Sequence, residues 1–119
     1  MPLRDQIRKG STEILILSLL AGEPMYGYQI GRELARRSGG YFNMKEGLLY
    51  PTLHRMQQAG LLISEWRQAG ASRRRKYYAI TARGREMLEE QSAEWQVFME
   101  KLQALLAGAD QDKGAEAAE

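Results

Sequence analysis

The chain contains no cysteine among its 119 residues, which excludes a disulfide framework, a thiolate nucleophile and any zinc site built on cysteine. Its one histidine, His54, has no second imidazole to share a metal with. It therefore reads as a surface hydrogen-bonding group, and neither a metal nor another cofactor is expected. Long apolar runs are missing as well: the longest, Ile14 to Leu17, falls far short of the ~18 residues that read as a membrane span. Met1 to Gly10 lacks the apolar core of a secretory signal. A cytoplasmic protein with no membrane partner is the expectation. No glycine-rich phosphate loop opens a helix, and no carboxylates stand at a recognisable catalytic spacing. Catalysis is the weakest reading.

What is present is unevenly distributed. Residues 1–85 carry 15 Lys and Arg against 6 Asp and Glu, while residues 86–119 carry 2 against 9. The front is thus +9 and the rear −7, which gives the overall +2. A basic front suits a polyanion, although a solvated basic surface has the same composition.

Hydrophobic periodicity gives the coarse order α-α-α-β-β-α. Ser11 or Thr12 is a plausible N-cap for a central helix running to about Ala21, ended by Gly22-Glu-Pro24. A second helix covers roughly Tyr26 to Arg37, with Tyr28, Ile30 and Leu34 inward and a stop at Ser38-Gly39-Gly40. The third covers about Gly47 to Ala59 and is closed by Gly60. Leu49, Leu53 and Met56 fall at i, i+4 and i+7 and should face the core. Pro51 keeps the start of this helix close to Glu46–Leu48. Leu61 to Arg67 and Lys76 to Ile80 read as a hairpin with a long tip around Gly70. Thr81 caps a last helix to about Ala107.

The fold class that follows is mainly α with a small β-hairpin: a winged helix-turn-helix over residues 1–81, including an N-terminal arm. A C-terminal dimerisation helix over 82–107 and a disordered tail over 108–119 complete the chain. Such a module sets its third helix into the major groove of double-stranded DNA. With Leu49, Leu53 and Met56 inward, the groove side falls to Lys45, Leu48, Tyr50, Pro51, Thr52, His54 and Arg55. Arg55 suits guanine or phosphate, and Leu48 suits a thymine methyl. Tyr50 either bonds a phosphate or packs between helices. Arg73, Arg74, Arg75 and Lys76 put four consecutive cations at the expected hairpin tip. Their mutual repulsion is relieved by an anion opposite.

In the last helix, Leu88, Gln91, Trp95, Phe98, Leu102 and Leu105 are spaced 3, 4, 3, 4, 3. This heptad seam suits pairing with a second copy of the chain. A dimer would set two reading helices ~34 Å apart, which implies a palindromic site. Trp95 and Phe98 would supply flat apolar walls suited to a small planar aromatic effector, or Trp95 simply anchors the dimer.

The segments Leu15-Ile-Leu-Ser-Leu-Leu20, Tyr26-Gly-Tyr-Gln-Ile30, Glu46-Gly-Leu-Leu-Tyr-Pro-Thr-Leu-His-Arg-Met56, Gly60-Leu-Leu-Ile63, Arg73-Arg-Arg-Lys-Tyr-Tyr78 and Thr81-Ala-Arg-Gly84 together resemble the PadR family of bacterial transcriptional regulators. The resemblance covers about residues 10–107 and is to the branch with a single C-terminal helix. It implies a homodimeric repressor whose third helix and wing bind a promoter inverted repeat, with release by an aromatic or drug-like effector in some members. By position, Tyr50, Pro51, Arg55 and Arg73 to Lys76 take the DNA role. Trp95 falls where some short members place an aromatic between the dimer's helices. Leu48 stands where threonine is common, and Ala71-Ser72 where a glycine pair often precedes the arginines. The other use of such a fold is as a protein-interaction or RNA-binding module.

Overall fold

Three amphipathic segments converge on one apolar centre. In the computed structural model, which describes the backbone of residues 3–118 and the side chains of residues 10–109, the order is α1 (Leu3–Leu20), β1 (Met25–Tyr26), α2 (Gly27–Arg37), α3 (Glu46–Gln58), β2 (Leu62–Gln68), β3 (Arg74–Ile80) and α4 (Ala82–Ala118). Ile16, Leu17 and Leu20 of α1 meet Ile30 and Leu34 of α2 and Leu49, Leu53 and Met56 of α3. Each fully buried side chain of this kind contributes ~1.5–3 kcal/mol over its exposed state, so the three helices hold together through these stripes. Tyr28, expected inward, is 62% exposed. It is the second residue of α2, and its inward neighbours Ile30 and Leu34 lie on the other side of the helix.

Both helix stops work through glycine. Gly60 takes φ 80°, while the Leu61 N–H donates to the Met56 carbonyl (2.9 Å) and the Gly60 N–H to that of Gln57 (3.0 Å). That is a Schellman closure, and it turns the chain directly into β2. Gly39 (φ 62°) ends α2 in the same way.

The sheet has the order β1-β3-β2, all antiparallel. β1 was not expected from the sequence, because two residues after Pro24 carry no periodicity. Its register sets Met25 opposite Tyr78 and Tyr26 opposite Tyr77. In the hairpin, Leu62 faces Ile80, Ser64 faces Tyr78 and Trp66 faces Lys76. Since strand side chains alternate, these six share one face, and its inner end, Leu62 and Tyr78, is buried in the core.

The longest helices depart from expectation at their ends. α1 begins at Leu3 rather than at a cap on Ser11 or Thr12, both of which are buried inside it. The preceding Leu, Arg, Gln and Lys residues are good helix formers, so residues 3–10, expected as an arm, are helical. α4 passes through Gly108 to Ala118. A lone helical glycine costs only ~1 kcal/mol relative to alanine, and the following Ala-, Lys- and Glu-containing segment favours helix. The disordered tail expected over 108–119 is therefore replaced by helix as far as residue 118.

Two compact units result, residues 1–88 and 89–119. The boundary falls inside α4 because Met87 and Leu88 pack against the core of the first unit. Thr81 sets the start of that helix: its Oγ1 accepts the Gly84 N–H (3.0 Å) and donates to the Gly60 carbonyl (2.7 Å).

Candidate nucleic-acid interface

Helix α3 divides cleanly into a core side and a solvent side. Leu49, Thr52, Leu53 and Met56 are buried, leaving Lys45, Tyr50, Pro51, His54 and Arg55 exposed on the other side. Two residues expected on the groove side are not there. Thr52 is fully buried (0% exposed), and its hydroxyl donates to the Leu48 carbonyl (2.7 Å). It shares the inward stripe with Leu49, Leu53 and Met56, three and four residues away. Leu48 is half-buried and packs against the core, because it lies one turn before Thr52 on the same side. Thr52 nevertheless reaches the surface indirectly: its Oγ1 accepts a hydrogen bond from Arg55 Nη2 (3.2 Å). The guanidinium is thereby tethered along the helix.

Tyr50 packs between helices and stays partly exposed. Its ring packs onto α2 at Gly27, so closely that a Cβ there would lie 2.5 Å from Tyr50 Cε1. The residue is still 43% exposed. Burial first, then the negative charge of Glu46 and the neighbouring Tyr78, push the phenol upward from its ordinary value. The group therefore stays a neutral O–H donor at physiological pH.

The cationic run is not a tip. Only Arg73 lies in the turn, while Arg74, Arg75 and Lys76 begin β3. Strand alternation sends Arg74 and Lys76 to the α3 side of the hairpin and Arg75 to the other. Three of the cations are steadied by an aromatic ring: Arg74 lies 5.5 Å from the Trp66 ring centroid, Lys76 5.6 Å from that of Tyr78, and Arg75 4.3 Å from that of Tyr26. Among the described residues, no carboxylate forms an ion pair with Arg73, Arg74 or Lys76; the pairs present are Glu33 with Arg36 and Arg37, and Glu65 with Arg67.

One side-chain bond ties the wing to the helix. Ser64 Oγ donates to Gln57 Oε1 (2.9 Å), joining β2 to the C-terminal half of α3. Two grooves open beside Tyr50. One, of about 640 Å³, runs between α2 and the start of α3 and includes Arg32, Lys45 and Glu46. The other, of about 330 Å³, lies between Tyr28, Tyr50 and the wing residues Trp66, Arg75 and Lys76. Sequence reasoning assigns no site role to Gly27, Trp66 or the Gln57–Ser64 bridge, and it places Tyr28 in the core. The phase of β2, with Trp66 two residues past Ser64 and opposite Lys76, is the signal that would have exposed Trp66.

The seam residues of the last helix fall in both units. Leu88 packs partly on the winged-helix core and keeps part of its surface exposed. In the second unit, Gln91 and Trp95 are half-buried, and Phe98 (57%), Leu102 (42%) and Leu105 (72%) are exposed. Trp95 and Phe98 meet edge to face at 5.8 Å.

Three helices, a cationic β-hairpin following the third of them, and an outward helix face beside that hairpin define a winged helix-turn-helix transcriptional regulator. Residues 16–90 match the model of the Transcriptional regulator PadR-like family. The chain belongs to that family, one of regulators rather than enzymes. Transcriptional regulator Rv3488 of Mycobacterium tuberculosis is 35% identical over 85 residues, covering 71% of this chain and 76% of its own. The crystal structure of a PadR family transcriptional regulator from Eggerthella lenta superposes with TM-score 0.75 at 38% identity, over 85% of this chain and 86% of that one. Bacillus subtilis PadR, solved in complex with operator DNA, shares the fold with TM-score 0.63 at 24% identity, over 67% of this chain. The chain spans about half of the longer relatives it matches: 45% of Bacillus subtilis PadR and 46% of a transcriptional regulator from Escherichia coli.

Proposed function

We propose that this chain is a homodimeric repressor that binds an inverted repeat in double-stranded promoter DNA through α3 and the wing. The observation that carries the reading is the exposed strip of α3 (Tyr50, Pro51, His54, Arg55) standing beside cations of β3 that lack carboxylate partners. An α-helix fits the major groove, and the cations suit the phosphate backbone flanking it. The related Bacillus subtilis PadR was solved with operator DNA, which supports the same use of the fold here. Arg55 is the base-reading candidate, since its guanidinium is pre-positioned by Thr52. Dimerisation is assigned to Leu88, Gln91, Trp95, Phe98, Leu102 and Leu105, because the exposed apolar side chains of Phe98, Leu102 and Leu105 continue this heptad seam and call for a partner. Trp95 and Phe98 are the aromatic pair on that stripe, and the place for a small planar aromatic effector that releases the DNA.

Fluorescence anisotropy tests the proposal. The protein is titrated against the duplex upstream of its own coding region and against a scrambled duplex, at two salt concentrations. Selective binding with a steep salt slope is expected. Arg74→Ala should weaken both duplexes alike, and Arg55→Ala should also erode the preference. Equal, weak binding to both duplexes by the wild type would replace the repressor with a nonspecific or protein-binding winged helix.

A further inference from the structure

The cavity of about 330 Å³ between α2, α3 and the wing has an aromatic and cationic lining. Tyr28, Tyr50 and Trp66 line it beside Gly27, Arg75 and Lys76, and no carboxylate is among the lining residues. Glu46, the carboxylate acting on Tyr50, lines the neighbouring α2–α3 groove instead. Trp66 is 58% exposed and Tyr28 62%, an unusual cost in apolar surface for two residues that the core does not use. We infer that this notch seats a single deoxyribose-phosphate unit of the DNA backbone, with Lys76 on the phosphate and Trp66 and Tyr28 against the sugar. The inference rests on the DNA reading above and names the part of the DNA that the notch takes.

Four features select a backbone unit over a base. Strand alternation turns Arg75 to the face opposite Lys76, with its guanidinium over the Tyr26 ring, so it is not aimed at base edges beside α3. The walls carry no amide or carboxylate to match a base edge. Lys76 is a point charge, held in place over Tyr78, and a point charge suits phosphate. The volume corresponds to roughly ten waters at ~30 Å³ each, room for a sugar and its phosphate but not for a second helix. Gly27 makes the notch possible: a Cβ there would lie within 2.8 Å of three Tyr50 ring and hydroxyl atoms. Gly27 is thus a positioning residue for Tyr50.

The test compares wild type, Trp66→Ala, Trp66→Phe, Lys76→Gln and Gly27→Ala on the operator duplex at several salt concentrations. Circular dichroism confirms that each variant folds. Trp66→Ala should weaken binding roughly tenfold with an unchanged salt slope, and Trp66→Phe should recover most of that loss. Lys76→Gln should weaken binding and reduce the slope by about one. Gly27→Ala, which displaces the Tyr50 ring without removing any charge, should behave like Trp66→Ala. Replacing single phosphates by neutral methylphosphonates along the operator should reveal one position per half-site that weakens the wild type but leaves Lys76→Gln unaffected. Folded Trp66→Ala and Gly27→Ala proteins that bind as tightly as the wild type overturn the notch while leaving DNA binding intact. A wild type that binds no duplex overturns both.

Discussion

Among the glycines, Gly84 leaves the least room for a side chain, and replacing it with alanine should loosen the joint between the hairpin and α4. A Cβ at this position would lie 2.4 Å from the Leu61 carbonyl oxygen, 2.7 Å from Ile80 Cγ1 and 3.3 Å from Leu17 Cδ2. Ordinary C···O contacts begin near ~3.3 Å, so helix and strand must part by about an ångström. Backbone cannot swing aside as a flexible side chain does. The Leu61 carbonyl also accepts the Thr81 N–H (3.1 Å), and Thr81 Oγ1 bonds the Gly60 carbonyl (2.7 Å). The separation therefore strains the cap of α4 as well. Overpacking costs ~1–3 kcal/mol and a weakened hydrogen bond ~0.5–1.5, offset by up to ~1 kcal/mol from alanine's helix propensity. A net loss of about 1–3 kcal/mol is expected, lowering Tm by roughly 5–15 °C for a domain of this size. Gly31→Ala is the internal control. It sits inside α2, where a Cβ would make only ordinary contacts, 3.7 Å from Leu49 Cδ2 and from the Met44 carbonyl oxygen. That variant should gain up to ~1 kcal/mol. Thermal melts at one fixed protein concentration compare the two, since self-association makes Tm concentration-dependent. A Gly84→Ala protein melting at or above the wild type would refute the steric reasoning.

Two further outcomes test other parts of the molecule. Trp95→Ala and Leu105→Ala should each shift sedimentation at low protein concentration toward the monomer; unchanged sedimentation for both would remove the seam from the dimer proposal. Tyr50 and Tyr78 are both pushed above the ordinary tyrosine value of 10.0, chiefly by burial. The folded state therefore keeps these protons after the unfolded chain has lost them, and stability falls as pH climbs past about 10. Tyr78→Phe should flatten that alkaline decline in denaturant titrations and remove late-titrating phenolate absorbance. An unaltered decline would locate its cause elsewhere.

Much of the architecture was legible because its signals are local. Leu49, Leu53 and Met56 announce their face of α3 by spacing alone, and all three are buried. Gly60 and Thr81 mark helix ends through backbone geometry that needs no distant partner. The ends of α1 and α4 were misjudged where a good local signal had a stronger competitor. Ser and Thr read as caps at positions 11 and 12, yet the helix runs on both sides of them. Gly108 reads as a stop, yet helix-favouring residues follow it.

The candidate site was legible only as an inventory. Residue types and order sufficed to place Tyr50, Arg55 and the Arg73 to Lys76 run on a helix and a hairpin. Their exposure, and what each touches, depended on packing between segments far apart in the chain. Thr52 and Leu48 differ from Tyr50 by two residues, but the core against α3 takes the first two and leaves Tyr50 at the edge. The phase of β3 decides which cations face α3, and a one-residue slip would exchange every one of them. From sequence alone came the helices, the stops of α2 and α3, the hairpin and the excess of positive charge, because each follows from spacing, propensity or composition. Tertiary structure alone decided that Gly27 lies under Tyr50 and that Trp66 stands opposite Lys76. Those contacts exist only once α2, α3 and the wing close on a shared core, which no local pattern encodes.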